Sequence, residues 1–170
     1  YVTEDDWLSL HIAAGDFVAL LIVFRLIWGV IGTRYARFTQ FVKSPSVVLS
    51  HLKCMANLKV PHYLGHNPAA AAMVVALLIS LTLLTFSGYV LIAADNQGIL
   101  AGTFFAQFNS DFMEEVHEFF ANFTLLLVFA HVGGVIVSSL MENENLPRAM
   151  VRGYKRYRSD YVDVQKEKNS

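Results

Sequence analysis

The chain is poor in cysteine and poor in charge. Its single cysteine, Cys54, excludes an intrachain disulfide. Charged residues make up only 16% of the 170 positions, against about 25% in an ordinary soluble domain. The net charge of −1 gives nothing to suggest nucleic acid as a partner. What charge there is, is segregated. Residues 69–94 and 119–141 contain no Asp, Glu, Lys or Arg at all. A third stretch, from Trp7 to Thr33, is broken only by Asp16 and Arg25. Signs are segregated too. The connection 34–66 has no acid, and the connection 95–116 has no base.

What is there is apolar: 55% hydrophobic residues and a mean hydropathy of +0.44. A helix needs about 20 apolar residues to cross the hydrocarbon core. Spans are therefore expected at about 7–33, 69–94 and 113–141, with Pro68 opening the second, where its missing N–H costs little. The expected fold is all-α: an integral membrane helical bundle in a single domain, 1–170. The chain does not begin with Met and shows no signal-peptide pattern. It opens on Glu4-Asp5-Asp6 directly before a span, which leads us to expect a segment upstream.

The sign of the connections orients the chain. Arg34, Arg37, Lys43, Lys53 and Lys59 lie between the first two spans, and Arg148, Arg152, Lys155, Arg156 and Arg158 follow the third. The positive-inside rule puts the loop 34–67 and the tail 142–170 in the cytoplasm. The acidic connection, with Asp95, Asp111, Glu114 and Glu115, then faces outward. The expected location is a bacterial inner membrane, with the C-terminus cytoplasmic.

Six histidines remain to be placed. His117 and His131 stand fourteen residues apart in one hydrophobic run. On a helix that is almost four turns, so both rings share a face, about 21 Å apart along the axis. Ionisable groups at such depth default to a functional reading. Two on one stripe suggest two stacked haems; the alternative is two rings satisfied by neighbouring helices. His11 lies about a turn inside the outer end of the first span. That span runs in the same direction as the third, so His11 and His117 reach one depth and can clamp one iron. His131 has no histidine partner at its own depth. With no Cys-x-x-Cys-His, any haem is held by ligands and packing alone. His51, His62 and His66 sit in or beside the basic connection and read as solvated.

Other residues are less specific. Gly15 falls one turn beyond His11 on the same face, Gly88 follows Ser87 near the outer end of the second span, and Gly133 and Gly134 adjoin His131. Glycine admits either a flat macrocycle or another backbone. Arg25 either snorkels to the headgroups or pairs with a haem propionate.

The stretches LHIAAGDFVALLIVFRLIWGVIGTRYARF from Leu10, GHNPAAAAMVVALL from Gly65, EVHEFFANFTLLLVFAHVGGV from Glu115 and ENLPRAMVRGYKR from Glu144 resemble the bacterial di-haem cytochrome b561-like membrane subunits. That family includes the b-type cytochromes of nickel–iron hydrogenases. The resemblance implies a four-helix cytochrome b core, of which this chain shows three transmembrane helices. It implies haem b on His11, His117 and His131; Gly15, Arg25 and Gly88 are expected around the cofactor from their positions alone. It implies electron transfer between the membrane quinone pool and a periplasmic redox partner, a cytochrome c or a hydrogenase-type protein. Family members carry a further first helix with one more histidine. The first span here matches the family's second, so the site at His131 needs a ligand from outside this chain.

The protein is then an electron carrier rather than an enzyme, able to serve as a subunit of an oxidoreductase complex, and a homo-oligomer stays open. Two rivals compete. One is a proton or ion pathway through Asp16, His11 and the His117–Glu118 pair. Against it, the second span has no ionisable group and no inverted repeat is visible. The other is a structural membrane anchor. A haem spectrum separates both from the cytochrome.

Overall fold

The computed structural model describes residues 3–56, 62–63, 67–142 and 161–162. Five α-helices occur among them: α1 (Glu4–Ile31), α2 (Phe38–Phe41), α3 (Pro45–Ala56), α4 (Pro68–Ala94) and α5 (Ser110–Glu142). Residues His62–Tyr63 pair in parallel with Tyr161–Val162, two residues on each side and too short to make a sheet. The fold is all-α. Three helices, over Asp6–Ile31, Pro68–Ala94 and Ser110–Leu140, are long and apolar enough to cross a membrane.

Each spanning helix starts on a side-chain cap, which its sequence supplies. At α1 the Thr3 backbone N–H donates to the Asp6 carboxylate at 2.9 Å, and the Asp6 N–H donates back to Thr3 Oγ1 at 3.4 Å. This is a reciprocal capping box. At α4 the Asn67 Oδ1 accepts from the Ala70 N–H at 2.7 Å. At α5 the Asn109 Oδ1 accepts from the Phe112 N–H at 2.8 Å. Caps of this kind contribute about 1 kcal/mol each. They also account for part of the GHNP stretch: Asn67 is the cap and Pro68 the first helical residue.

Helix α4 ends as sharply as it begins. Asn96 adopts φ 57°, the Gln97 N–H reaches back to Ile92 O, and the Asn96 N–H to Ala93 O. This pair of bonds is a Schellman ending built on asparagine instead of glycine. The chain then turns through Gly98 and Gly102, both at positive φ, into a 3₁₀ turn at Phe104–Gln107. Phe105 packs edge-on against Phe86 of α4 with ring centres 5.3 Å apart, which ties this connection to its own helix.

The contacts divide the chain into two compact units. The first contains Tyr1–Ile31 and Ala76–Leu126; the second contains Gly32–Val75 and Leu127–Ser170. In the first, the buried residues are Ile22 and Gly29 of α1, Ser80, Ser87, Val90 and Ala93 of α4, and Met113 and Thr124 of α5. Most other large apolar side chains of the three helices are exposed, Phe17, Leu20, Phe24, Phe119 and Leu126 among them. Such surfaces suit a lipid solvent.

In the second unit, Arg37 Nε donates to Gly32 O at 2.7 Å, satisfying a carbonyl just past the end of α1. The connection expected as a loop contains α3, whose His51 is buried. Lys59, His66 and the basic tail with its ENLPRAMVRGYKR stretch lie outside the described residues.

Candidate haem site

The first unit brings His11 and His117 together. Their ring centres are 6.0 Å apart and their planes cross at 85°. Imidazole nitrogen binds a metal ion at about 2 Å, which puts each ring centre about 3 Å from the ion and two opposed rings about 6 Å apart. The spacing therefore fits one iron between two axial histidines. Ordinary edge-on ring contacts also fall at about 4.5–7 Å, so a second observation is needed.

The surroundings of His117 provide it. His117 Nδ1 lies 3.1 Å from the backbone carbonyl of Leu84 on α4. A carbonyl oxygen only accepts, so Nδ1 must carry the proton. Ser87 Oγ lies 3.1 Å from the same nitrogen and itself donates to Leu84 O at 2.9 Å. A proton on Nδ1 satisfies both contacts, with the serine oxygen accepting as well. In the neutral ring that tautomer leaves Nε2 with its lone pair, the form a metal ligand needs. A ligating histidine ordinarily donates its other N–H to a carbonyl or carboxylate, which fixes ring orientation and raises basicity. Here that orientation exists in the protein itself.

Gly88 completes the seat. A Cβ at this position would lie 3.1 Å from His117 Cε1 and 3.4 Å from Nδ1. The imidazole thus packs on the bare backbone of α4. The room that Gly88 provides is taken by the His117 ring.

Below this rung lies a second. Ser80 Oγ and Thr124 Oγ1 are 2.6 Å apart, both buried. Ser80 precedes Ser87 by seven residues on α4, and Thr124 follows His117 by seven on α5. Seven residues are two turns, about 10.5 Å. Two polar rungs, one heptad apart on antiparallel helices, thus set the register that brings His117 to Leu84. Helix α1 has its own tie. Tyr89 of α4 donates its hydroxyl to Asp16 Oδ1 at 2.8 Å. This bond accommodates the one carboxylate inside the first span and fixes α1, with His11, against α4.

The remaining expected site residues are placed as follows. Gly15 is half-buried on α1, and an added Cβ there would meet nothing within 4 Å, so space remains one turn from His11. Arg25 is half-buried on the same helix, fourteen residues past His11, about 21 Å along it. The structure does not bring it to the His11–His117 pair. His131 is half-buried on α5 in the second unit. Among the described residues no hydrogen bond to its ring is seen, and Gly133 and Gly134 beside it border open space. No group of three or more His, Cys, Asp or Glu side chains gathers among the described residues, so His11 and His117 stand as a pair. Ser87, Leu84 O, Ser80 and Thr124 were not foreseen from the sequence. The one signal available was the seven-residue spacing of Ser80 and Ser87 in an otherwise apolar helix.

Three long apolar helices, with two imidazoles brought together between α1 and α5, define a helical membrane protein with a candidate haem site. Comparison with known proteins agrees: the prokaryotic cytochrome b561 family matches residues 1–153, and the chain belongs to that family. No curated protein and no solved structure gave a match. Membership makes the chain a membrane b-type cytochrome, an electron carrier with haem b as its cofactor.

Proposed function

We propose that the protein passes electrons between the membrane quinone pool and a redox partner on the outer, periplasmic side, through haem b held between His11 and His117. The observation that supports this reading is the 3.1 Å contact of His117 Nδ1 with Leu84 O, which suits the tautomer that leaves Nε2 free to ligate. Haem b supplies one-electron exchange at its iron. The chain's own residues do the rest. His11 and His117 would hold the haem from co-directional helices. Leu84 O and Ser87 keep the proton on His117 Nδ1, and Gly88 sets the plane of the ring. Held by both histidines, the iron would be closed to other ligands, which suits electron transfer rather than oxygen chemistry.

At His131 a second haem b would be completed by a ligand from outside residues 1–170. Arg25 would serve the inner side, on a propionate or at the headgroups. The positive connection and tail support a cytoplasmic C-terminus in a bacterial inner membrane.

The partner would meet the acidic connection. Asp95, Glu114 and Glu115 are exposed there, beside the end of α4 and on the first turns of α5. Electron-transfer partners use small, weak interfaces, and complementary charge sets their encounter rate and salt sensitivity. A basic patch on a cytochrome c or hydrogenase-type protein fits. The test is the rate of haem oxidation or reduction by such a partner across ionic strength. The rate should fall as salt rises, and fall less after Glu114→Gln with Glu115→Gln. A rate indifferent to both would remove the acidic surface from partner recognition.

A further inference from the structure

The connection runs from the end of α1 at Ile31 to the start of α4 at Pro68, two helices long and apolar enough to cross a membrane; as successive spans they would leave both its ends at one face. Within it α3 forms a complete helix. Pro45 opens it, and the Val48 N–H is satisfied by Ser44 O. At about 100° per residue, Leu49 and Leu52 fall on one stripe, while Ser46, Ser50 and Lys53 form a separate polar arc. Leu49 is 55% exposed and Leu52 46% exposed, whereas His51, on a third side, is only 4% exposed. The helix thus has a side turned into the protein, an apolar side left open, and a polar side next to it. Around it the connection carries Arg34, Arg37, Lys43 and Lys53 and, over 34–66, no acid.

We propose that α3 is an interfacial helix that docks on the surface of the same bilayer. Leu49 and Leu52 enter the boundary between headgroups and acyl chains, and the flanking basic residues pair with the phosphates of anionic phospholipids. An open apolar stripe beside a cationic, acid-free surface is what such a leaflet complements. Tethering by α1 and α4 keeps the helix within reach of it. The inference does not depend on the haem or on the direction of electron flow.

The sole cysteine supplies the test. Cys54 is exposed and lies on the far side of α3 from the leucine stripe, about 160° from Leu52. An environment-sensitive fluorophore is attached to the full chain in proteoliposomes, either at Cys54 or through Leu52→Cys in a Cys54→Ser background. Leu49→Cys serves the same purpose if Leu52→Cys reduces haem content. In vesicles containing phosphatidylglycerol, the stripe position should be quenched by a lipid-borne spin label and resist aqueous iodide. Cys54 should show the reverse. Lys43→Gln and Lys53→Gln should each lower the docked-to-undocked ratio roughly fivefold at low salt, with no change in pure phosphatidylcholine. If both positions respond alike to iodide, or if the stripe is shielded from both quenchers, α3 does not lie on the bilayer. Docking that ignores both the lysines and phosphatidylglycerol would overturn the headgroup recognition.

Discussion

Helix α5 carries two histidines in two different settings. His117 is held by a carbonyl, a serine and a bare glycine backbone, with His11 opposite it. His131 is half-buried beside two glycines that border open space, and no described residue bonds its ring. A histidine inside a span does not by itself make a cofactor site. The difference lies in whether neighbouring helices choose its tautomer and fix its plane. By that measure His117 is oriented as a metal ligand would be, and among the described residues His131 is not.

The contrast can be broken from the outer side. Gly88→Leu should have the largest effect. A branched side chain cannot share the space 3.1 Å from His117 Cε1, so the ring must leave its seat and the outer haem should be lost. The haem-to-protein ratio measures this, and the loss should be confined to the outer site. Retention of all haem after Gly88→Leu would show that the ring does not need this seat. Gly88→Ala is milder. Its Cβ asks the ring to shift by a few tenths of an ångström, so haem should stay with a changed midpoint potential.

Ser87→Ala removes one of the two acceptors at His117 Nδ1 and leaves Leu84 O in place. The tautomer should survive, and haem affinity should fall by up to about tenfold, within the range of a single lost hydrogen bond of about 0.5–1.5 kcal/mol. Equilibrium haem binding, competed with apomyoglobin, reads it out. A loss as large as that of His117→Ala would show that the serine, and not the carbonyl, fixes the ring.

Ser80→Ala and Thr124→Ala test the second rung. Hydrogen bonds between helices in a bilayer are worth about 0.6 kcal/mol on average. Each variant should lower unfolding stability in mild detergent by about that much, and a double-mutant cycle should show coupling. Haem content should be unchanged. The smallest effect is spectroscopic. Rings crossed at 85° would act as π-donors on the two iron dπ orbitals alike and leave them nearly degenerate. The ferric outer haem should therefore give a strongly anisotropic low-spin EPR signal, not the rhombic signal of parallel imidazoles.

Much of this was legible in the residues. Runs without charge located the three spans, because no other solution satisfies so long an apolar stretch. Counting turns from the outer ends brought His11 and His117 to one depth, since α1 and α5 run the same way. The seat of His117 was not legible. A backbone carbonyl has no letter in the sequence, and Leu84 reads as one more apolar residue until the register of α4 against α5 is known. That register depends on Ser80 meeting Thr124, a pair separated by 44 positions. Gly88 stood out early, but the sequence left open whether the room it makes admits a macrocycle, a backbone or a ring. Helix α3 was hidden for another reason: its apolar stripe is short, and basic residues around it made the connection read as a solvated loop.

The most direct test of the paired site uses four proteins purified in mild detergent: the unaltered chain, His11→Ala, His117→Ala and His131→Ala. Haem is quantified by the pyridine haemochrome method, and the reduced spectrum reports its spin state. The unaltered chain should show a low-spin b-type spectrum. His11→Ala and His117→Ala should each abolish the same low-spin haem, and His131→Ala should leave that haem intact. Full low-spin haem in either His11→Ala or His117→Ala would contradict the account, because it would place the iron somewhere other than between these two rings.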